Sequence, residues 1–421
     1  MKVLFIHQGI PGQFGRLARH LASDPNNQVW FVTKPQTKPI QIPGVRKIEY
    51  RPDRSPGKGT HHYIVGLQNG VRHGQAVARV ASELKKKGFR PDIVYAHPGW
   101  GESLYIKDVY PDVPLLNYFE FYYRGFGADT YFDPQETIKF DEVLRIRTKN
   151  AINLLSLESC DWGISPTDWQ WRQHPPQFRN KISVIHDGID TTVAKPDPTA
   201  RLTLASGVTL DPSDEVVTYV ARNLEPYRGF PSFMRAAAKI CARRPNCHIL
   251  IVGGDGVSYG RRPRAGTTYR QMMLAEVDID PTRVHFLGKL PYGQYLKVLQ
   301  VSSAHVYLTV PFVVSWSMLE AMSVGCPVIG SNTPPVAEVI EDGKNGLLAD
   351  FFSPEEIAER VDEALDHEDR MAALRERARN TILERYDLAN CLPRQLKVME
   401  DLIAGRRPEL ACQPPLKTAP S

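Results

Sequence analysis

Short apolar runs separated by amphipathic stretches recur from one end of this chain to the other, and no other feature limits its fold as strongly. Strands buried on both faces of a parallel sheet read as continuous apolar runs, and each crossover to the next strand needs a helix. The rhythm therefore defines an α/β chain built from helix-covered parallel sheets. Residues 3–7, 28–33, 93–96, 115–119, 162–165 and 182–185 are the strand candidates of the first half. Residues 216–221, 248–252, 284–287, 306–309 and 327–329 repeat the pattern in the second.

Two similar sheets in 421 residues imply two domains. The stretch 191–200, rich in proline and small polar residues, is the natural linker, with a boundary near Lys195. The expected organisation is a first domain over 1–195, a second over 196–405, and a Pro-rich disordered tail over 406–421. Residues 51–60 form an irregular, basic, glycine-rich stretch that reads as a mobile loop.

Composition excludes several classes. With 42% hydrophobic and 24% charged residues the chain is globular rather than disordered or fibrous. No apolar run approaches the roughly 18 to 20 residues that cross a bilayer, and the first twelve residues reach a glycine turn too early for a signal peptide, so a cytoplasmic protein is expected. Cys160, Cys241, Cys247, Cys326, Cys391 and Cys412 include no C-x-x-C pair, and His61, His62 and His73 lack a ligand spacing, so no metal is expected. The net charge of +5 gathers in Arg46, Lys47, Arg51, Arg54 and Lys58, and again in Lys85, Lys86, Lys87 and Arg90. Each cluster is either a solvated face or a patch for anionic lipid or a phosphorylated acceptor, which leaves peripheral membrane contact open. Neither is interleaved with a nucleic-acid reading module, so no nucleic acid is expected as partner.

Two loops carry chemistry. After the first strand, residues 8–15 turn the chain into a helix, and Gly12 and Gly15 could let a phosphate or sugar reach backbone N–H groups at its start. A tight structural turn is the alternative. The spacing is not G-x-G-x-x-G, and no acidic residue ends the second strand at Thr33, which disfavours a nicotinamide dehydrogenase. In residues 308–331 a strand enters a loop and then a helix beginning near Ser315, whose first residues, Ser315, Trp316 and Ser317, make an anion site at a sheet edge. Glu320, one and a half turns on, is placed to accept both hydroxyls of a ribose, or is a satisfied helix glutamate.

On these residues the chain resembles the family-4 retaining glycosyltransferases. That family has a Glu-x7-Glu motif in this loop and helix, followed by Ala-Met-(Ala/Ser)-x-Gly-x-Pro-Val. Glu320 and residues 321–328 match the second half of the pattern, whose glutamate serves the donor ribose, while Phe312 stands where the first glutamate touches the donor sugar. The chain either handles the sugar with neighbouring groups or has lost turnover, and the ordered stretch 311–317 with its serines favours the former.

The resemblance extends further. Arg222 fits the family's arginine and Arg228 replaces its lysine, a pair that grips the donor diphosphate without a metal. Gly254 falls in the family's Gly-x-Gly after a strand, and the backbone around Gly288 and Leu290 frames the nucleobase. In the first half, Glu120 occupies the place of a histidine near the donor sugar, and His97 follows the preceding strand; either could orient or deprotonate an acceptor hydroxyl, or be structural. The resemblance thus implies the GT-B fold, two Rossmann-like domains facing across a cleft, and a metal-independent retaining hexosyltransferase. It would use no cofactor beyond a nucleotide-sugar donor and would serve a glycan or lipid-linked acceptor, in polysaccharide or cell-envelope glycan synthesis. A nucleotide-sugar epimerase of the same fold, or an inactive nucleotide-sugar-binding protein, are the alternatives.

Overall fold

The computed structural model describes residues 1–37, 40–53, 57 and 59–410, and divides them into two compact units. Among the described residues the first unit holds a seven-stranded sheet: β1 (Lys2–Ile6), β2 (Gln28–Thr33), β3 (Val45–Glu49), β4 (Ile93–Ala96), β5 (Leu115–Tyr118), β6 (Trp162–Ser165) and β7 (Ile182–Val184). Every pairing in it is parallel, in the order β3-β2-β1-β4-β5-β6-β7. Successive side chains leave opposite faces of a strand, and both faces are covered here. Val3 and Phe5 join one apolar core with Phe14, Phe31 and Tyr95, while Leu4 and Ile6 join the other with Val77, Val94 and Leu157.

The second unit opens with a small hairpin, β8 (Leu202–Thr203) and β9 (Thr209–Leu210). Its sheet contains β10 (Val216–Asn223), β11 (His248–Gly254), β12 (Val284–Gly288), β13 (Ala304–Tyr307), β14 (Val328–Ser331) and β15 (Leu347–Ala349), all parallel, in the order β12-β11-β10-β13-β14-β15. Each sheet reverses its strand order once, at β1/β4 and at β10/β13. Four strands escaped the reading of the sequence: β3, whose Val-Arg-Lys-Ile-Glu is charged because it is an edge strand, the two-residue hairpin strands β8 and β9, and β15, only three residues long.

The domain limits depart from expectation. The first unit comprises Met1–Gly188 and the described chain from Ala389 on, and the second comprises Ile189–Leu388. Residues 189–195 are no free linker, since Ile189 and Ala194 are buried in the second unit's core and Ile189 N–H donates to Tyr386 O at 2.7 Å. The helix Leu388–Ile403, expected in the second domain, packs on the first: Val398 and Met399 lie in its core, and Gln395 Nε2 donates to His186 O at 3.1 Å. An apolar helical stripe tells that a sheet covers it, not which sheet. Of the expected tail, residues 406–410 are held in place, with Arg406 on Asp401 and Ser183 Oγ donating to Glu409 O at 3.0 Å; residues 411–421, Cys412 among them, lie outside the described residues. So do Arg54 and Lys58 of the expected mobile loop. The remaining five cysteines are free and buried, and among the described residues no helix is long and apolar enough to cross a membrane.

Candidate functional site

Ligands of open parallel sheets bind at the carboxyl ends of the strands, where the strand order reverses. In the second unit that place lies between the turn after β10 and the loop after β13. Near its end β10 carries one more residue than its partner, since Val220 pairs with Val252 but Asn223 with Gly254. Such a bulge re-aims side chains, and Arg222 within it is exposed and makes no hydrogen bond to a described residue.

Arg228 closes the 3-10 turn that follows. Gly229 permits the tight step into the next helix: its φ is +66°, and a Cβ there would lie 2.5 Å from Leu308 Cβ. Arg228 is buried, and its Nη1 donates to Thr309 Oγ1 at 2.8 Å, Val313 O at 2.9 Å and Tyr307 Oη at 3.2 Å. Its guanidinium also stands over the rings of Tyr259 and Phe312, at 5.7 and 5.9 Å. Nε and Nη2 have no acceptor among the described residues, so the fork that suits phosphate oxygens is still available.

Glu225, in the same turn, was not singled out in the sequence. It is fully buried, and its Oε2 accepts the N–H groups of Ser258 and Tyr259 at 2.8 and 2.9 Å. Burial raises its pKa, against the pull of those N–H groups and of Arg228 and Arg222. It anchors the root of the loop after β11. Phe312 packs edge-on against Tyr227 and Tyr259, with ring centroids 5.6 and 4.9 Å away. The position is built as part of an apolar wall, not as a vacancy left by a carboxylate.

The helix beginning at Ser315 forms as expected, over Trp316–Ser323. Ser315 N–H already donates to Tyr307 Oη at 2.7 Å, whereas Ser317 Oγ is buried with no partner among the described residues. Trp316 is exposed. Glu320 is buried, and each of its oxygens accepts a tyrosine hydroxyl, Oε1 from Tyr292 at 2.8 Å and Oε2 from Tyr295 at 2.7 Å. Both tyrosines were missed, because a helix written Tyr-x-x-Tyr reads as ordinary amphipathic packing. The glutamate is thus held in place by two hydroxyl donors. Gly288 adopts φ +65° facing open space, and Leu290 is half-buried.

In the first unit the residues after β1, β4 and β5 converge. His97 Nδ1 accepts the Gly99 N–H at 3.2 Å, which puts the ring proton on Nε2, 3.3 Å from Glu120 Oε2. Gln13 Nε2 donates to Glu120 Oε1 at 3.0 Å. Burial would raise the Glu120 pKa, but the His97 hydrogen bond and charge, with His7 and Gln13, leave it below the ordinary carboxylate value. Two residues that the sequence offered separately are one pair. His97 stacks on half-exposed Trp100, with centroids 4.6 Å apart. His7, not foreseen, meets His97 edge-on at 5.1 Å, and burial with the neighbouring His97 pushes its pKa down to about 4. Gly12 and Gly15 face protein: a Cβ on Gly12 would lie 2.6 Å from His7 Cε1, and one on Gly15 2.7 Å from Pro11 Cβ. The tight turn accounts for both. His73, discounted as a metal ligand, instead joins Tyr50 and Gln8 around fully buried Glu102. Among the described residues no three His, Cys, Asp or Glu side chains are grouped as metal ligands.

Two units, each an open parallel sheet that reverses its strand order once, define an α/β protein of two Rossmann-like domains. Residues 25–194 match the glycosyl transferase family 4 group and residues 205–381 match the glycosyl transferases group 1, so the chain belongs to the family-4 glycosyltransferases. It is 24% identical over 232 residues to the D-inositol 3-phosphate glycosyltransferase of Acidothermus cellulolyticus, covering 54% of this chain and 50% of that protein. It spans about half the length of the D-inositol 3-phosphate glycosyltransferases it matches. Spore coat protein SA of Bacillus subtilis is 24% identical over 341 residues, or 76% of this chain and 79% of that one. Anabaena HepE, solved in complex with UDP-glucose, shares the fold with a TM-score of 0.67 at 16% identity, over 95% of this chain and 100% of that one.

Proposed function

We propose that the chain is a metal-independent retaining glycosyltransferase, moving a sugar from a nucleotide-diphosphate donor to a glycan or lipid-linked acceptor in polysaccharide or cell-envelope assembly. The observation that carries this reading is Arg228: a guanidinium fixed at the strand-order reversal through Nη1, with Nε and Nη2 unclaimed by described residues. When the bond from the anomeric carbon to the β-phosphate oxygen breaks, its electron pair leaves with the diphosphate. A cation already oriented there stabilises that charge without reorganising. Arg222 adds a second charge, and Glu320, held by Tyr292 and Tyr295, accepts ribose hydroxyls.

Retention follows from attack on the face the diphosphate leaves. The acceptor oxygen bonds to the anomeric carbon, and its proton passes to the departing phosphate oxygen. No enzyme nucleophile is required, which suits a site with Phe312 in place of a glutamate. In this reading Glu120, kept ionised and half-exposed beside His97, accepts the acceptor hydroxyl and orients it.

Phe312 also favours a second reading, a nucleotide-sugar-binding protein without turnover, and an epimerase would use the same donor site. A panel of UDP-, GDP- and ADP-sugars separates them, followed by thermal stabilisation, slow hydrolysis and product analysis, with Glu320→Ala as control. HepE's complex makes UDP-glucose the first donor to try. A donor that stabilises and is hydrolysed only by the unaltered chain supports the transferase; an isomerised sugar supports the epimerase. Binding without turnover supports the binding protein, and no binding overturns the donor site.

A further inference from the structure

Of the two cations described at the carboxyl edge of the second sheet, Arg222 comes from the end of β10 and Arg228 from the turn after it. A third reaches that edge from β12. Lys289 follows β12 directly, and its side chain, though exposed, lies back across the end of β11. A Cβ built on Gly254 would sit 2.5 Å from Lys289 Cε and 3.2 Å from its Nζ. The same point is 2.9 Å from Asn223 Oδ1, so the ammonium and the amide oxygen flank the bare backbone of Gly254.

Neither group is satisfied by the protein. Asn223 is 8% exposed; its Nδ2 donates to Ser258 Oγ at 2.7 Å, while Oδ1 is buried with no partner among the described residues. Lys289 makes no ion pair or hydrogen bond to a described residue. Asp255, the acid beside Gly254 in sequence, faces Arg270 at 3.6 Å instead. A buried acceptor left unpaired destabilises the fold, a loss that a bound donor group would recover. An unpaired ammonium and an unpaired acceptor beside a missing side chain together complement a ligand that carries an anion next to a hydroxyl or N–H. A nucleoside phosphate is such a ligand.

We propose that Lys289 contacts a phosphate of the nucleotide donor while Asn223 Oδ1 accepts a hydrogen bond from the same molecule. Position 254 is glycine because any side chain there would displace the lysine. The inference rests on the reading of this edge as a nucleotide site.

Calorimetric titration of UDP, GDP and ADP, and of the matching nucleosides, tests it on the full chain and on Lys289→Met, Lys289→Arg, Gly254→Ala and the Lys289→Met/Gly254→Ala double variant. The diphosphate that binds the unaltered chain should weaken about tenfold or more in Lys289→Met, its nucleoside should not, and Lys289→Arg should keep most of the affinity. Gly254→Ala should weaken the same diphosphate, and the double variant should add little, because both changes remove one contact. If none of the three diphosphates binds the unaltered chain, the nucleotide-site reading fails and this inference with it. If one binds the unaltered chain and Lys289→Met alike, or if Lys289→Met weakens the nucleoside as much as the diphosphate, the lysine–phosphate contact alone is overturned.

Discussion

Arg228 Nη1 lies 2.9 Å from the main-chain oxygen of Val313, so a single guanidinium joins the turn after β10 to the loop after β13 across the strand-order reversal. The residue therefore has two duties, one toward the fold and one toward the proposed ligand, and they separate by substitution. Arg228→Met removes the donor shared by Thr309 Oγ1, Tyr307 Oη and Val313 O, and should cost about 3 kcal/mol of stability as well as reducing donor turnover about 100-fold or more. Arg222→Met removes an exposed side chain, so stability should change by about 0.5 kcal/mol or less while turnover still falls. Urea unfolding beside donor hydrolysis reads both. Equal stability losses in the two variants would show that the buried contacts of Arg228 do not bear on folding.

Glu120 accepts hydrogen bonds from both His97 Nε2 and Gln13 Nε2, an arrangement for a carboxylate rather than a carboxylic acid. Its lowered pKa means the charge is complete above the usual carboxylate value and is lost only as pH falls through the lower, folded one. Turnover between pH 5 and 8 should carry no step from this group. Glu120→Gln keeps the shape and removes the charge, so kcat should fall about 10- to 100-fold with donor affinity unchanged. A matching loss of donor affinity would place Glu120 on the donor instead.

What the sequence disclosed and what it concealed divide along a physical line. Strands with apolar side chains on both faces, such as β2 and β4, are legible because burial fixes their composition. The charged edge strand β3 and the helix Leu388–Ile403 are not, because an edge needs no apolar run and a stripe does not name its partner. Within the candidate site the split is similar. Arg222, Arg228, His97, Glu120 and Glu320 stand at strand ends or in a helix start, where local pattern points to them. Tyr292, Tyr295, Glu225, Gln13 and Asn223 act through contacts 25 to 107 residues away in the chain, which no local spacing reveals.

Phe312 tests whether the missing glutamate can be restored. The ring fills an aromatic cluster with Tyr227 and Tyr259 and is 6% exposed. Phe312→Glu removes that packing and buries a carboxylate about one ring's width from Arg228, which it would draw away from Val313 O. A loss of about 3 kcal/mol of stability, without gain of turnover, is the expected outcome. A variant with raised hydrolysis and unchanged thermal midpoint would show instead that the wall tolerates the family's carboxylate.

Buried histidines, three of them with strongly lowered pKa values, set the acid limit of the fold. His7 and His174 in the first unit and His305 in the second have pKa values pushed down to about 4, 4 and 3, by burial in each case and by His97 as well for His7. His174 Nδ1 faces the Gln170 carbonyl oxygen and His305 Nδ1 faces Thr218 Oγ1, so each ring is hydrogen-bonded within the protein, and each Nε2 is buried without a partner among the described residues. Protonation would put an uncompensated charge in the core. Between the unfolded pKa near 6.5 and the folded values, the unfolded chain binds more protons, so stability is complete above pH 6.5, falls as pH drops, and stops falling below pH 3 to 4. Each imidazole should cost about 2 kcal/mol by pH 5. Urea midpoints should therefore move down steadily from pH 7.5 to 5, for both units, since each holds at least one such ring. Midpoints that stay level over this range would mean that the imidazoles take up protons inside the fold as readily as in water, and that the packing around His305 admits solvent.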